Sequence, residues 1–150
     1  MKEKGLDIII MDDDIDVCET LKDNIIKFYK WGEILSFSDV DEAISYCLTR
    51  DIGIAIFVVD TFLGVKTGLY FLDAIEKTFP HIYEDTVMIT GHASNDVVNT
   101  CVTSGINHLL EKPIKEYALQ FSIRAIVEKY LRFANKLVQN PELADSISQL

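Results

Sequence analysis

Residues 54–59 read Ile-Ala-Ile-Phe-Val-Val, six apolar side chains in a row. A strand made from them is apolar on both faces, so helices must cover it on each side. That is the signature of a central strand in a parallel sheet. Shorter runs at Leu6–Met11, Ile34–Phe37, Thr86–Ile89 and His108–Leu110 read as four more strands. Helical periods lie between them. Val17, Leu21, Ile25 and Phe28 recur at helical spacing, and Gly32 follows as a stop. Ser38 reads as the N-cap of a second helix through Arg50. A third spans about Gly68–Phe79 and ends at Pro80, and a fourth, about Asn95–Ser104, lies between a Ser94 cap and Gly105. A fifth runs from Ile114 to about Gln139 and is broken by Asn140-Pro141. The last ten residues read as weakly structured or as a short turn of helix. Five strands alternating with five helices predict an α/β, doubly wound, five-stranded parallel sheet.

Charge narrows the function. With 14 basic against 24 acidic residues the net charge is −10, which argues against binding nucleic acid or anionic lipid by bulk electrostatics. The longest apolar stretch, Ile52–Val59, is far short of the ~20 residues that span a membrane. No signal peptide precedes the first strand, so the cytoplasm is the expected compartment. Cys18, Cys47 and Cys101 are too scattered for a zinc site or a disulfide framework and read as buried thiols. His81, His92 and His108 are equally dispersed and make no metal site.

In an open parallel sheet, ligands bind beyond the carboxyl ends of the strands. Here those ends carry Asp12, Asp13 and Asp14 after the first strand, Asp60 after the third, Thr90 after the fourth and Lys112 after the fifth. Crowded carboxylates call for a cation, and an all-oxygen donor set suits Mg2+ or Mn2+. A lysine and a hydroxyl facing the same point complement a phosphoryl group. Asp14 is adequately explained as a helix cap. Pro113 suggests that Lys112 is held in a fixed turn by a cis bond.

This arrangement resembles the receiver domain of two-component response regulators, related to the chemotaxis response regulator. The residues that carry the resemblance are Asp12-Asp13 in MDDD, Asp60 in VVD, Thr90 in MITGH, Lys112-Pro113 in EKP, and Gly68 eight residues after Asp60. It covers about residues 5–128 and implies a flavodoxin-like receiver fold. It further implies that Asp60 is the phosphoacceptor, taking a phosphoryl group from a histidine kinase or phosphotransfer protein. Asp12, Asp13, Asp60 and the backbone carbonyl of Phe62 would hold Mg2+, while Thr90 and Lys112 would contact the phosphoryl group. The chain would then be a signalling module in a phosphorelay, not an enzyme acting on other substrates.

Three positions depart from the family pattern. Phe62 is large and apolar, Gly64 stands where a proline is common, and Leu109 occupies the place of the usual switch aromatic. Phe62 and His92 are bulky enough to obstruct an in-line water, which implies a long-lived phosphorylated state. A haloacid-dehalogenase-type phosphatase also places Asp-x-Asp after a first strand, but Asp16 stands where Thr or Val is usual. A receiver-like interaction module that is never phosphorylated is the other alternative. A flavin-binding protein fails on charge, because the loop after the first strand is acidic. The chain divides into a receiver, residues 1–128, and a helical extension, 129–150. In the extension Tyr130, Leu131, Phe133, Ala134, Leu137 and Val138 continue an apolar stripe expected to pair with a second copy.

Overall fold

The computed structural model describes residues 5–148. Its centre is a parallel sheet of five strands: β1 (Ile8–Met11), β2 (Ile34–Phe37), β3 (Ile56–Asp60), β6 (Thr86–Thr90) and β7 (His108–Glu111). They lie in the order β2-β1-β3-β6-β7. The remaining two strands, β4 (Phe62–Leu63) and β5 (Lys66–Thr67), form a small antiparallel hairpin directly after β3. Six helices complete the described residues: α1 (Ile15–Ile26), α2 (Val40–Leu48), α3 (Gly68–Ile75), α4 (Asn95–Ser104), α5 (Glu116–Gln139) and α6 (Pro141–Ser148).

The doubly wound prediction holds because the pleat sorts side chains to two cores. Ile9, Met11, Phe57, Val59 and Met88 point to one face, where Cys47, Phe71, Leu72 and Phe79 meet them. Ile8, Ile10, Ile56, Val58, Val87 and Ile89 point to the other and pack on Leu21, Ile25, Leu119 and Ile123. Phe57 alone meets two aromatic edges, with Phe79 at 5.0 Å and Phe71 at 6.3 Å between ring centroids. All three cysteines are free and buried, and burial pushes the Cys18 thiol up to about 11 and that of Cys47 to about 12.

Several local expectations are corrected. Asp39, not Ser38, caps α2, its carboxylate accepting from the Glu42 N–H at 2.9 Å. The third helix ends at Ile75, four residues before Phe79, and is capped by Thr67. Asn140-Pro141 does end α5, but it also starts α6, because Asn140 accepts the Leu143 N–H at 3.1 Å and Pro141 suits a first helical position. The hairpin was not expected. Its turn is Gly64-Val65, with Gly64 at φ +69°, a left-handed conformation that glycine adopts freely.

The extension does not stand clear of the domain. Tyr130 and Lys129 both reach the buried carboxylate of Asp85, which lies just before β6 at the end of the sheet opposite the acidic strand ends. Leu131, Phe133 and Val138 remain exposed further along α5.

Candidate functional site

Backbone geometry sets the site. β1 and β3 pair in parallel with Met11 opposite Val59, so Asp12 and Asp60 leave adjacent strands at the same level. Lys112 follows β7, and its N–H donates to the Thr90 carbonyl at 2.8 Å, fixing where its side chain starts. The Lys112-Pro113 peptide is cis. From there Lys112 Nζ crosses the strand ends to Asp60 Oδ2 at 2.8 Å and Asp12 Oδ2 at 3.3 Å. Residues 12, 60 and 112 thus converge from three strands.

Asp12 and Asp60 are buried, at 1% and 8% exposure, while Asp13 faces solvent. Among the described residues, Asp12, Asp13 and Asp60 form the one set of potential ligands whose donor atoms lie within 4.8 Å of one another. Every donor is a carboxylate oxygen, so the set fits a hard divalent cation such as Mg2+ or Mn2+ and not a soft metal. Burial pushes the Asp12 carboxyl up to about 6, and the neighbouring Asp60 adds to this; the Asp14 N–H on Asp12 Oδ1 at 2.9 Å and the Lys112 charge act against it. Partial burial works against the Lys112 ammonium, but its bond to Asp60 and the two carboxylate charges outweigh that and raise its pKa.

Open depressions of similar volume lie on the surface, among them three of about 740, 730 and 810 Å3. The first is lined by Lys22, Lys30 and Glu33 beside Tyr29 and Trp31, and the third by Arg124, Glu128 and Arg132 beside Tyr117 and Phe121. The second is lined by Asp12, Asp13, Asp14, Asp16, Asp60 and Lys112, and chemistry rather than size singles it out. Asp14 caps α1 by accepting the Asp16 N–H at 2.9 Å, which is the structural role anticipated for it.

The other candidates sit around this pocket in different ways. Phe62 N–H donates to Asp60 Oδ1 at 3.2 Å, so its main chain touches the site while its ring is 58% exposed. Thr90 is fully buried, and its hydroxyl donates to the His92 carbonyl at 3.1 Å and accepts the His92 N–H at 3.3 Å. The His92 ring lies in solvent, 4.0 Å from Glu111, and does not line the pocket. Leu109 is half-buried against the core. Two residues were missed. Thr61 ties the strand end to β6, its N–H and hydroxyl both donating to the Ile89 carbonyl at 2.7 and 2.9 Å. Glu111 accepts the Ala93 N–H at 2.7 Å. The signal for Glu111 was its position beside Lys112; a Thr after an apolar strand gave none.

A doubly wound sheet thus brings buried acids from two adjacent strands and a bridging lysine to one edge, with the donor chemistry that a phosphoryl group and a hard cation call for. The family comparison agrees: residues 8–124 match the response regulator receiver domain model, and the chain belongs to that family. Solved receiver structures share the fold. A response regulator receiver domain protein from Clostridium thermocellum is 21% identical with TM-score 0.72, covering 85% of this chain and 98% of that one. The chemotaxis protein CheY4 of Vibrio cholerae is 17% identical with TM-score 0.69, over 82% and 99% of the two chains. The signal receiver domain of an HD domain-containing protein from Pseudomonas fluorescens is 16% identical with TM-score 0.71, over 84% and 97%. No curated protein matches the chain.

Proposed function

We propose that the chain is a phosphoacceptor of a two-component phosphorelay, receiving a phosphoryl group on Asp60 from a phosphohistidine of a histidine kinase or phosphotransfer protein. The observation that carries this reading is Lys112 Nζ at 2.8 Å from Asp60, inside a set of three carboxylates. An Asp60 oxygen forms the new bond to phosphorus as the bond from phosphorus to the donor nitrogen breaks, and the imidazole leaves with the electron pair and takes up a proton. Lys112 neutralises charge on the transferring group, and Thr90 donates its hydroxyl proton to a phosphoryl oxygen. Asp12, Asp13, Asp60 and the Phe62 carbonyl are the residues that would hold Mg2+ or Mn2+. Such a cation supplies charge neutralisation to phosphoryl oxygens.

In this reading the protein acts in the cytoplasm as a signalling module, its only chemistry being its own phosphorylation and dephosphorylation. Residues 1–128 form the receiver and 129–150 an extension. Leu131, Phe133 and Val138, exposed on α5 after the Tyr130 anchor, support pairing with a second copy through the last helix. Intact-mass spectrometry after incubation with acetyl phosphate and Mg2+ tests the central claim. Wild type gains one phosphoryl group and Asp60→Asn gains none. A wild type that stays unmodified points to the non-phosphorylated interaction module, and equal labelling of the variant places the acceptor elsewhere.

A further inference from the structure

The turn between β6 and α4, residues 91–94, is fixed by two polar contacts that meet beside Lys112. In the first, the Thr90 hydroxyl donates to the His92 carbonyl at 3.1 Å, and the Ser94 N–H reaches the same carbonyl at 3.0 Å. In the second, Glu111 Oε2 accepts the Ala93 N–H at 2.7 Å. Glu111 stands opposite Thr90 in the register of β6 and β7 and directly precedes Lys112. The turn is therefore clipped to the strand that delivers the lysine.

A hydroxyl carries one proton. While Thr90 donates to His92, it has none for a phosphoryl oxygen on Asp60. Turning it inward breaks its bond to the His92 carbonyl and takes its oxygen from the His92 N–H, which favours a shift of residues 91–93 to find that N–H a new partner. Glu111 resists that movement, because a carboxylate-to-amide bond is stronger than a neutral one and the Ala93 N–H loses it when the turn shifts. In many receivers an aromatic three residues before the lysine moves with the threonine; Leu109 offers no such ring.

We propose that Glu111 is a positioning residue that holds the Thr90 hydroxyl in its resting bond and so sets how readily the threonine engages a phosphoryl group. This rests on the reading of Asp60 as phosphoacceptor. Glu111 touches neither phosphoryl group nor cation, and it acts through Ala93 and the turn. The clip is half in solvent, so its removal changes the resting equilibrium modestly, by about 3- to 10-fold.

The test uses the full chain with acetyl phosphate at saturating Mg2+, following phosphorylation of Asp60 by intact mass. In this reaction an Asp60 oxygen bonds to phosphorus while the phosphorus–oxygen bond to acetate breaks, and acetate leaves with the electron pair. Glu111→Ala raises the maximal phosphorylation rate about 3- to 10-fold with little change in the acetyl phosphate concentration giving half that rate. Glu111→Gln keeps an acceptor oxygen for Ala93 without the charge, so its rate falls between those of wild type and Glu111→Ala. The Ala93 amide resonance supplies a second readout: it moves in Glu111→Ala, and it moves the same way when the wild type is phosphorylated. A rate in Glu111→Ala at or below wild type overturns the proposal, as does a Glu111→Gln rate equal to that of Glu111→Ala. A wild type that takes up no phosphoryl group overturns the Asp60 reading itself, a result the mass spectrum separates from the others.

Discussion

The raised pKa of Asp12 gives two opposite pH trends that one set of titrations can separate. Its carboxyl is pushed up to about 6 from an unperturbed 3.8, chiefly by burial. A protonated carboxyl cannot ligate a cation, so Mg2+ affinity falls as pH drops through about 6. With that midpoint the fraction ionised is near one at about pH 7.5 and about one in eleven at about pH 5, so the Mg2+ dissociation constant rises roughly tenfold between them. Without Mg2+ the trend in stability reverses. The folded chain holds the Asp12 proton more tightly than the unfolded chain does. Its contribution is therefore complete below about pH 4 and is lost as pH rises through about 6, by up to about 3 kcal/mol. Asp12→Asn removes both dependences, and at neutral pH without Mg2+ it is the more stable protein. Calorimetric Mg2+ titrations and urea unfolding with and without chelator, each at several pH values for both proteins, measure the two effects. Equal Mg2+ affinity for the wild type at both ends of the range refutes the assignment of Asp12 as a titrating ligand.

Four further outcomes follow from the geometry. Tyr130→Phe leaves the buried Asp85 carboxylate with Lys129 alone and lowers unfolding free energy by about 1–3 kcal/mol in urea titrations; an unchanged midpoint removes Tyr130 as an anchor of α5. A Cβ on Gly68 would lie 2.3 Å from the Asp60 carbonyl oxygen and 2.9 Å from Val59 Cγ1, so Gly68→Ala destabilises by about 1–3 kcal/mol and slows Asp60 phosphorylation by displacing the strand end. Replacing Phe62 and His92 together by small polar residues speeds loss of the phosphoryl group. His92 points away from the pocket, so Phe62→Asn alone should carry that change, and an unchanged decay in the double variant discards the shielding idea. Phe133→Glu in the full chain turns a dimer into a monomer in sedimentation velocity, whereas a wild type that is already monomeric at high concentration ends the second-copy reading.

The sheet was legible because its evidence is repeated at every strand. Ile8–Met11 and Ile56–Asp60 are buried throughout, and two-sided burial needs the unbroken apolar runs that the sequence displays. The pocket was legible for a related reason, since parallel strands deliver their last residues to one edge. The hairpin was not, because two-residue strands are too short to show a period, and its only mark was Gly64 between two short pairs. Ser38 and Asp39 both suit a helix cap, and only backbone geometry chooses between neighbours. Asn140-Pro141 reads as a stop from one side and as a cap with its first helical residue from the other. The Glu111–Ala93 bond joins a strand end to a turn 18 residues away, and no local pattern encodes it.

The two ends of the sheet show how a buried acid is a fastener at one and part of a candidate site at the other. Asp85 is 2% exposed, and its two oxygens are taken by Lys129 and Tyr130 from a single turn of α5. Lys129 also reaches Glu84 Oε2 at 3.6 Å, so two carboxylates share that ammonium, and burial together with the Asp85 bond raises the Tyr130 pKa, so the hydroxyl stays a donor. At the opposite end Lys112 reaches Asp12 and Asp60, and Asp13 completes a set of three carboxylates. Asp14 and Asp16 line the same pocket, so its carboxylates outnumber Lys112, the basic residue lining it. A carboxylate has lone pairs for about four donors, and those of Asp13 open to solvent. Both ends use the same residue types. Access separates them: the closed cluster at Asp85 anchors a helix, while the pocket at Asp60 stays open to solvent.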